Sequence, residues 1–311
     1  MWSEQSIPDQ HGRVAVVTGA NGGLGLEVAR VLASKGATVV MAARNQAKAA
    51  EARDAIRAEV PDATLELREL DLAALESVRA CGDAIAADHE RIDVLVNNAG
   101  VMGIPEQRTA DGFEMQLGVN HLGHFVLTRR LLPRLLAAPA GRVVAVTSFG
   151  RWFGPTLRPR NPHLRGWYNP WVAYGQSKMA NHEFALELQR RLSAAGAPVI
   201  SVVAHPGMSH TELQKVGVRE TGGGLSQRFW ASTASRFGMA PERGAHTLLR
   251  AATDPDATGG ELYAPRWLTA GDAVRRPAFG RPGRAGESLW VVSERETGER
   301  FDVPALVAAA H

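Results

Sequence analysis

Tyr174 and Lys178 stand four residues apart in Val172–Ala195, a stretch whose pattern predicts a helix closed by Gly196. That spacing puts both side chains on one helix face. A free tyrosine, with a pKa of about 10, is a poor proton carrier at neutral pH. A neighbouring ammonium favours the phenolate and lowers that value, which makes Tyr174 a candidate general acid or base. The pair alone carries little weight, because it arises by chance in many helices. Ser148 follows the apolar run Arg142–Thr147. Its hydroxyl can hold a substrate oxygen beside Tyr174 and stabilise charge developing there, although a serine at a strand end also serves as a cap or turn residue. Asn120 falls in a long helix predicted within Gly112–Leu136. Asparagine is a weak helix former, so its place there points to a special reason.

These residues need a scaffold, and the sequence spells one out. Arg13–Thr18 reads as a buried strand, and it runs directly into Thr18-Gly19-Ala20-Asn21-Gly22-Gly23-Leu24-Gly25 and a helix, Gly23–Lys35. Glycines at 19, 23 and 25 allow a tight turn, close backbone approach to a pyrophosphate and close packing of helix on strand. The helix N-terminus offers free N–H groups to the phosphates. Further strands are predicted at Thr38–Ala42, Thr64–Glu69, Ile92–Val96, Arg142–Thr147, Pro198–Val203 and near Gly260–Tyr263, with helices at Gln46–Glu59, Ala73–Asp88 and Ala240–Ala252 between them. Strands apolar on both faces and separated by helices imply an α/β fold, a doubly wound and mainly parallel sheet. Ligands bind such sheets outside the strands' carboxyl ends, where nearly every residue singled out here falls.

With Thr18-Gly19-x-x-x-Gly23-x-Gly25, Asn97-Asn98-Ala99-Gly100, Ser148 and the Tyr174/Lys178 pair in this order, the chain resembles the short-chain dehydrogenase/reductase family from Thr18 to Thr211. The resemblance implies a Rossmann fold in a single domain. Its core covers about 12–265, and a C-terminal extension covers 266–311. It implies Asn120, Ser148, Tyr174 and Lys178 as catalytic residues. Lys178 also bonds the nicotinamide ribose, and Asn120 holds a water that links Lys178 to solvent. The nicotinamide dinucleotide would lie on Gly19, Asn21, Gly23, Leu24, Gly25, Asn98, Ala99 and Gly100. Asp71 with Leu72 would meet the adenine, and Pro206, Gly207 and Thr211 the nicotinamide end. Asp71 has a competing role as a helix N-cap. Family members that use NAD carry an acid at the end of the second strand. Here Ala43 stands about where that acid would be, and Arg44 follows it. A guanidinium clamps a 2′-phosphate that a carboxylate would repel, so NADP(H) is expected, with NAD(H) the alternative.

Ser148 and Tyr174 lie 26 residues apart, whereas the simplest family members have roughly half that separation. The extra length, Phe149–Trp171, holds Trp152, Phe153, Trp167, Tyr168 and Trp171. With Asn120-His121-Leu122-Gly123-His124-Phe125 and Ala173-Tyr174-Gly175-Gln176-Ser177-Lys178, it resembles the retinol dehydrogenase, WW-domain oxidoreductase and protochlorophyllide reductase branch. That branch mostly uses NADP on apolar carbonyl or alcohol substrates. Here neither a WW module nor a membrane anchor is expected. Met102, Phe149, Trp152, Phe153 and Met208 are expected to line a pocket for a bulky, partly apolar small molecule. The insertion is read as either a lid or an anchored loop. A second irregular stretch, Lys215–Gly238, is polar and Gly-rich. Arg151, Arg158, Arg160 and Arg165 read as solvated loop charges that also suit an anionic handle.

A net charge of +3 gives no electrostatic case for nucleic acid. No run reaches the roughly 20 apolar residues of a membrane span. The lone cysteine, Cys81, reads as a small core residue, and with the polar start of the chain it suggests a cytoplasmic protein. His121 and His124 lack a completing ligand set, so no metal is expected, and they read as packing or subunit-contact residues. Homodimers or homotetramers are common in the family, formed through the long helices that carry Asn120 and Tyr174; the C-terminal tail is the other element able to cover that surface. Two further readings stay open: a non-enzymatic dinucleotide-binding sensor, and a reductase of C=C or C=N bonds.

Overall fold

A sheet whose strands are apolar on both sides must be covered on both faces. The computed structural model describes residues 2–207, 240–278 and 283–310. The strands are β1 Val14–Thr18, β2 Thr38–Ala43, β3 Leu65–Glu69, β4 Val94–Asn97, β5 Arg142–Val146, β6 Ile200–Ala204, β7 Glu261–Pro265 and β8 Ala273–Pro277. They form one sheet in the order β3-β2-β1-β4-β5-β6-β7-β8. Every adjacent pair is parallel except β7 with β8. The helices are α1 Gly23–Ser34, α2 Gln46–Glu59, α3 Leu75–Asp88, α4 Met115–Leu117, α5 Gly123–Leu136, α6 Pro170–Ala194, α7 Pro241–Thr253, α8 Arg284–Thr297 and α9 Val303–Ala309.

The period-2 alternation of side chains divides each strand between two cores. In β1, Val16 joins the layer under α3, α5, α6 and the tail helices, while Ala15 and Val17 join the layer under α1, α2 and α7. In β2, Val40 and Ala42 face the first layer and Val39 and Met41 the second. After β3 the chain returns to place β4 on the free side of β1. This topological switch opens a crevice at the strands' carboxyl ends.

Three features depart from the expected elements. The long helix is not continuous: between α4 and α5 the chain forms a π-helical turn, Gly118–Leu122, which contains Asn120. Such turns insert one extra residue and recur at functional sites. Next, β8 pairs antiparallel at the sheet edge and carries Arg275, Arg276 and Pro277, residue types that blunt an edge against further pairing. Finally, the tail is helical and packs back on the body. Trp290 and Phe301 are buried against Phe125 of α5 at ring separations of 5.2 and 5.3 Å, and Trp290 stacks on Phe184 of α6 at 5.8 Å. Arg191 lies 4.3 Å over the Trp290 ring. The Glu299 carboxylate meets Arg79, Arg130 and Arg129 at 2.7, 3.1 and 3.2 Å. The chain's own tail therefore covers the α5–α6 face. His121 and His124 are buried inside the molecule, which removes the subunit-contact reading. Cys81 is a buried core residue whose thiol burial pushes up to about 11.

Candidate active site

The chain leaves β1 at Thr18 and turns through Gly19 and Gly23, whose φ angles of 68° and 53° lie in the left-handed region that suits glycine. A Cβ on Gly25 would stand 2.4 Å from the Gly19 carbonyl oxygen and 2.6 Å from Asn98 Nδ2. Only glycine lets α1 pack this closely on the turn. Gly22 is the N-cap of α1, no side chain caps the helix, and a Cβ there would meet nothing within 4 Å. The first N–H groups of α1 and its positive dipole end are thus available to an anionic group. Asn21 is half-buried beside the turn and Leu24 is buried. Thr18 Oγ accepts hydrogen bonds from the Asn98 and Ala99 amides at 2.9 and 3.0 Å, and Asn98 Nδ2 donates to the Thr18 carbonyl at 2.8 Å. These bonds strap the Asn97–Gly100 segment onto the turn. The backbone cradle fits a pyrophosphate.

Arg44 follows β2 directly. It is exposed, and no described residue pairs with it, while Ala43 is buried. Asp71 does not cap a helix, contrary to one expectation. Its Oδ1 accepts from the Ala73 amide at 2.9 Å in a tight local turn. The helix starts two residues later than expected, at Leu75, whose amide donates to Asp111 Oδ2 at 3.0 Å. Leu72 is buried against Gly123. Pro206 and Gly207 follow β6, half-buried, with Gly207 at φ 74°. Met208, Thr211 and the stretch 215–238 lie outside the described residues.

Stitching between β5 and α6 brings Ser148, Tyr174 and Lys178 together. Thr147 Oγ donates to the Lys178 carbonyl at 2.7 Å, and Lys178 Nζ and Asn181 Nδ2 donate to the Val146 carbonyl at 3.2 and 3.0 Å. Asn169 caps α6 by accepting from the Trp171 and Val172 amides, and Pro170 follows at the first helical position. Beyond Ser148 the chain makes a 3-10 turn, Phe149–Phe153. A Cβ on Gly150 would lie 2.7 Å from Tyr174 Cε1, and one on Gly154 would lie 2.1 Å from the Gln176 amide nitrogen, so these glycines let the turn close over α6. Ser148 Oγ accepts from the Gly150 amide at 3.0 Å, which leaves its own proton to donate.

Tyr174 and Lys178 are both buried. Burial pushes the Tyr174 phenol up to about 12, with partial relief from its hydrogen bond to Ser148. Burial pulls the Lys178 ammonium down to about 8. The expectation that Lys178 lowers the tyrosine pKa therefore fails in this geometry. Nζ stands 6.0 Å from the ring centre, and loss of water outweighs any charge effect at that range.

Asn120 is fully buried in the π turn. Its Oδ1 accepts from the Val101 amide at 2.7 Å, and its Nδ2 donates to the Val101 carbonyl and Ser177 Oγ at 2.9 and 2.8 Å. A Cβ on Gly100 would lie 2.8 Å from Asn120 Oδ1 and 3.5 Å from Lys178 Nζ, which puts these groups in one cluster. Among the described residues no group of three His, Cys, Asp or Glu side chains is arranged to hold a metal.

The insertion has a pinned half and an open half. Tyr168 Oη lies 3.1 Å from the Ile104 carbonyl and from Glu114 Oε1, and accepts from Gln116 Nε2 at 3.1 Å. His163 Nδ1 accepts from the Glu114 amide at 3.1 Å, while its Nε2 meets Glu296 of α8 at 2.9 Å. Trp171 stacks edge-on against Tyr174 at 6.5 Å and lies over Gly103, next to half-buried Met102. Phe149, Trp152 and Phe153 are exposed by 42, 56 and 48 %, so they form a rim, not an enclosed wall. Arg151 is not a solvated loop charge: it is buried, with one nitrogen 3.4 Å from His182 Nδ1.

Sequence reasoning missed Glu114, Gln116 and His163. Only Glu114 left a signal, as an acid just ahead of a helix start; its carboxylate accepts from the Gln116 and Leu117 amides at 2.9 and 2.6 Å.

Residues 13–157 match the family model described as short chain dehydrogenase. Polyprenol dehydrogenase of Mus musculus is 44% identical over 301 residues, covering 94% of this chain and 86% of that protein. Retinol dehydrogenase 12 of Homo sapiens is 37% identical over 295 residues, covering 94% and 88%. An uncharacterized protein of Mycobacterium Paratuberculosis has a crystal structure that superposes with a TM-score of 0.76 at 40% identity, covering 96% of this chain and 98% of that one. With a dinucleotide cradle at one end of the crevice and Ser148, Tyr174 and Lys178 at the other, the chain belongs to the short-chain dehydrogenase/reductase family, in its retinol dehydrogenase-like branch, and is an NAD(P)-dependent oxidoreductase acting on CH–OH and C=O groups.

Proposed function

We propose that this oxidoreductase uses NADP(H) to interconvert a carbonyl and an alcohol on a bulky apolar molecule, with Tyr174 as the proton donor in reduction. The observation that carries this reading is the cluster of half-buried Ser148 with buried Tyr174 and Lys178, beside an open aromatic rim. When bound, the nicotinamide supplies or accepts the hydride. Ser148, whose oxygen accepts from the Gly150 amide and whose hydroxyl reaches Tyr174, turns its proton to the substrate oxygen and holds it. Tyr174, kept as a neutral phenol by burial, gives its proton to that oxygen as negative charge develops. Lys178 stabilises the resulting phenolate.

The substrate reading follows from Phe149, Trp152, Phe153 and Trp167, exposed aromatics on the insertion beside Ser148. An isoprenoid chain, as the names of the polyprenol and retinol dehydrogenases suggest, suits such a rim. Arg44 carries the cofactor preference. It is the cation that follows β2, whose last residue is Ala43; Glu69 ends the paired strand β3, and among the described residues no ion pair joins it to Arg44.

The test is a fluorescence titration with NADPH and NADH, followed by NADPH oxidation with all-trans-retinal as the probe carbonyl. NADPH binds at least about tenfold tighter in the parent, as a bidentate charge-assisted contact provides, and Arg44→Ala removes that preference. Equal or tighter binding of NADH refutes the cofactor reading. NADPH binding without turnover of retinal refutes the substrate reading.

A further inference from the structure

We propose that His124 is a positioning residue that ties the dinucleotide turn to the helix of the catalytic tyrosine. The inference rests on the reading of those two elements given above. His124 is buried one turn after Asn120. Its Nδ1 lies 3.0 Å from the Asn120 backbone carbonyl, and its Nε2 lies 2.9 Å from Thr18 Oγ. A carbonyl only accepts, so the ring proton sits on Nδ1 and Nε2 is an acceptor. The Thr18 hydroxyl donates to it while accepting from the Asn98 and Ala99 amides.

On the other side, Asn120 Nδ2 donates to Ser177 Oγ at 2.8 Å, and Ser177 Oγ donates to the Tyr174 carbonyl at 2.8 Å. The hydrogen bonds thus run without a gap from the Asn98–Ala99 backbone through Thr18, His124, Asn120 and Ser177 to Tyr174. His124 is the member that joins β1 to the π turn. A phenylalanine or leucine fills the same volume but makes neither bond, so packing alone does not account for an imidazole here. Burial holds the ring neutral, with its pKa drawn down to about 4, so the link persists across the physiological pH range.

Two measurements test this. In histidine-labelled protein, nitrogen NMR is expected to show His124 protonated on Nδ1 and not titrating between about pH 5.5 and 8.5. An Nε2-protonated ring, or one that titrates there, overturns the proposal whatever the variants do. The second measurement splits the two bonds. The amide of His124→Asn falls near Nδ1 and keeps the Asn120 bond, while that of His124→Gln falls near Nε2 and keeps the Thr18 bond. His124→Asn is expected to weaken NADPH affinity, by up to about tenfold for one lost buried bond, more than it slows retinal reduction; His124→Gln is expected to do the reverse. Equal proportional effects of both variants on affinity and turnover, or a change in melting temperature alone, overturn it. NADPH affinity is read without any carbonyl, so a failure of retinal as a substrate counts against the proposed function and leaves this result intact.

Discussion

Burial keeps Tyr174 the neutral phenol it ordinarily is and works against the ordinary charge of Lys178. Lys178 loses its water on folding and gains only a backbone carbonyl, so its ammonium destabilises the fold. The drop from 10.5 to about 8 corresponds to ~3 kcal/mol. Below pH 8 both folded and unfolded chains are protonated at this site and the penalty is full. Between about 8 and 10.5 the unfolded chain holds the extra proton, so stability rises with pH; above that range the penalty is gone. Lys178→Met is therefore expected to raise the melting temperature of the cofactor-free protein at pH 7 by roughly 5 °C while abolishing reduction. Calorimetry checks the first part, and a fall in melting temperature contradicts it. The same values set the pH profile. In the proposed mechanism carbonyl reduction needs the Tyr174 phenol and a charged Lys178, so its kcat/KM is expected to stay level below about pH 8 and decline above. Alcohol oxidation needs Tyr174 deprotonated, so it is expected to rise with pH up to about 8, where loss of the Lys178 charge offsets the further gain in phenolate.

Among the elements, most strands were legible in the sequence because β1, β2, β4, β5 and β6 are apolar runs buried along nearly their whole length, and several of the helices that follow begin or end at a glycine or a capping side chain. The glycine turn and the Tyr174/Lys178 face came from local spacing, and the Asn97–Gly100 segment and Ser148 from the family resemblance that this spacing carries. What the sequence hid depends on partners distant along the chain. The π turn breaks a helix with no proline to mark it, only Gly118 and Gly123 at its two ends, and its register is set by Val101, Ser177 and His124. Arg151 reads as solvent-facing among loop residues, yet packing of the 3-10 turn on α6 buries it beside His182. The tail's fold was hidden because its aromatic residues find Phe125 and Phe184, more than a hundred positions earlier in the chain. That docking buries Trp290 and Phe301 and is expected to stabilise the fold. Phe301→Ala is expected to cost ~3–5 kcal/mol, lowering the melting temperature by about 5 °C or more. A loss under about 1 °C contradicts the packing described.

At the scale of the whole molecule, the sheet, the π turn and the tail act as one frame around the crevice. The tail reaches the site twice, through Ser293 to His121 at 2.8 Å and through Glu296 to His163 in the insertion. Because it also covers the α5–α6 face, we expect the purified chain to run as a 33.3 kDa monomer in light scattering, not as a dimer or tetramer built on that face. A dimer that Trp290→Arg or a deletion of 284–311 does not perturb would show that another surface joins subunits. The central claim is that Tyr174 supplies the proton, and the most direct measurement is NADPH oxidation with all-trans-retinal by Tyr174→Phe beside the parent, with NADPH affinity measured in both. A loss of at least about a hundredfold in kcat with affinity kept is the predicted result; a Tyr174→Phe protein that turns over like the parent contradicts the account.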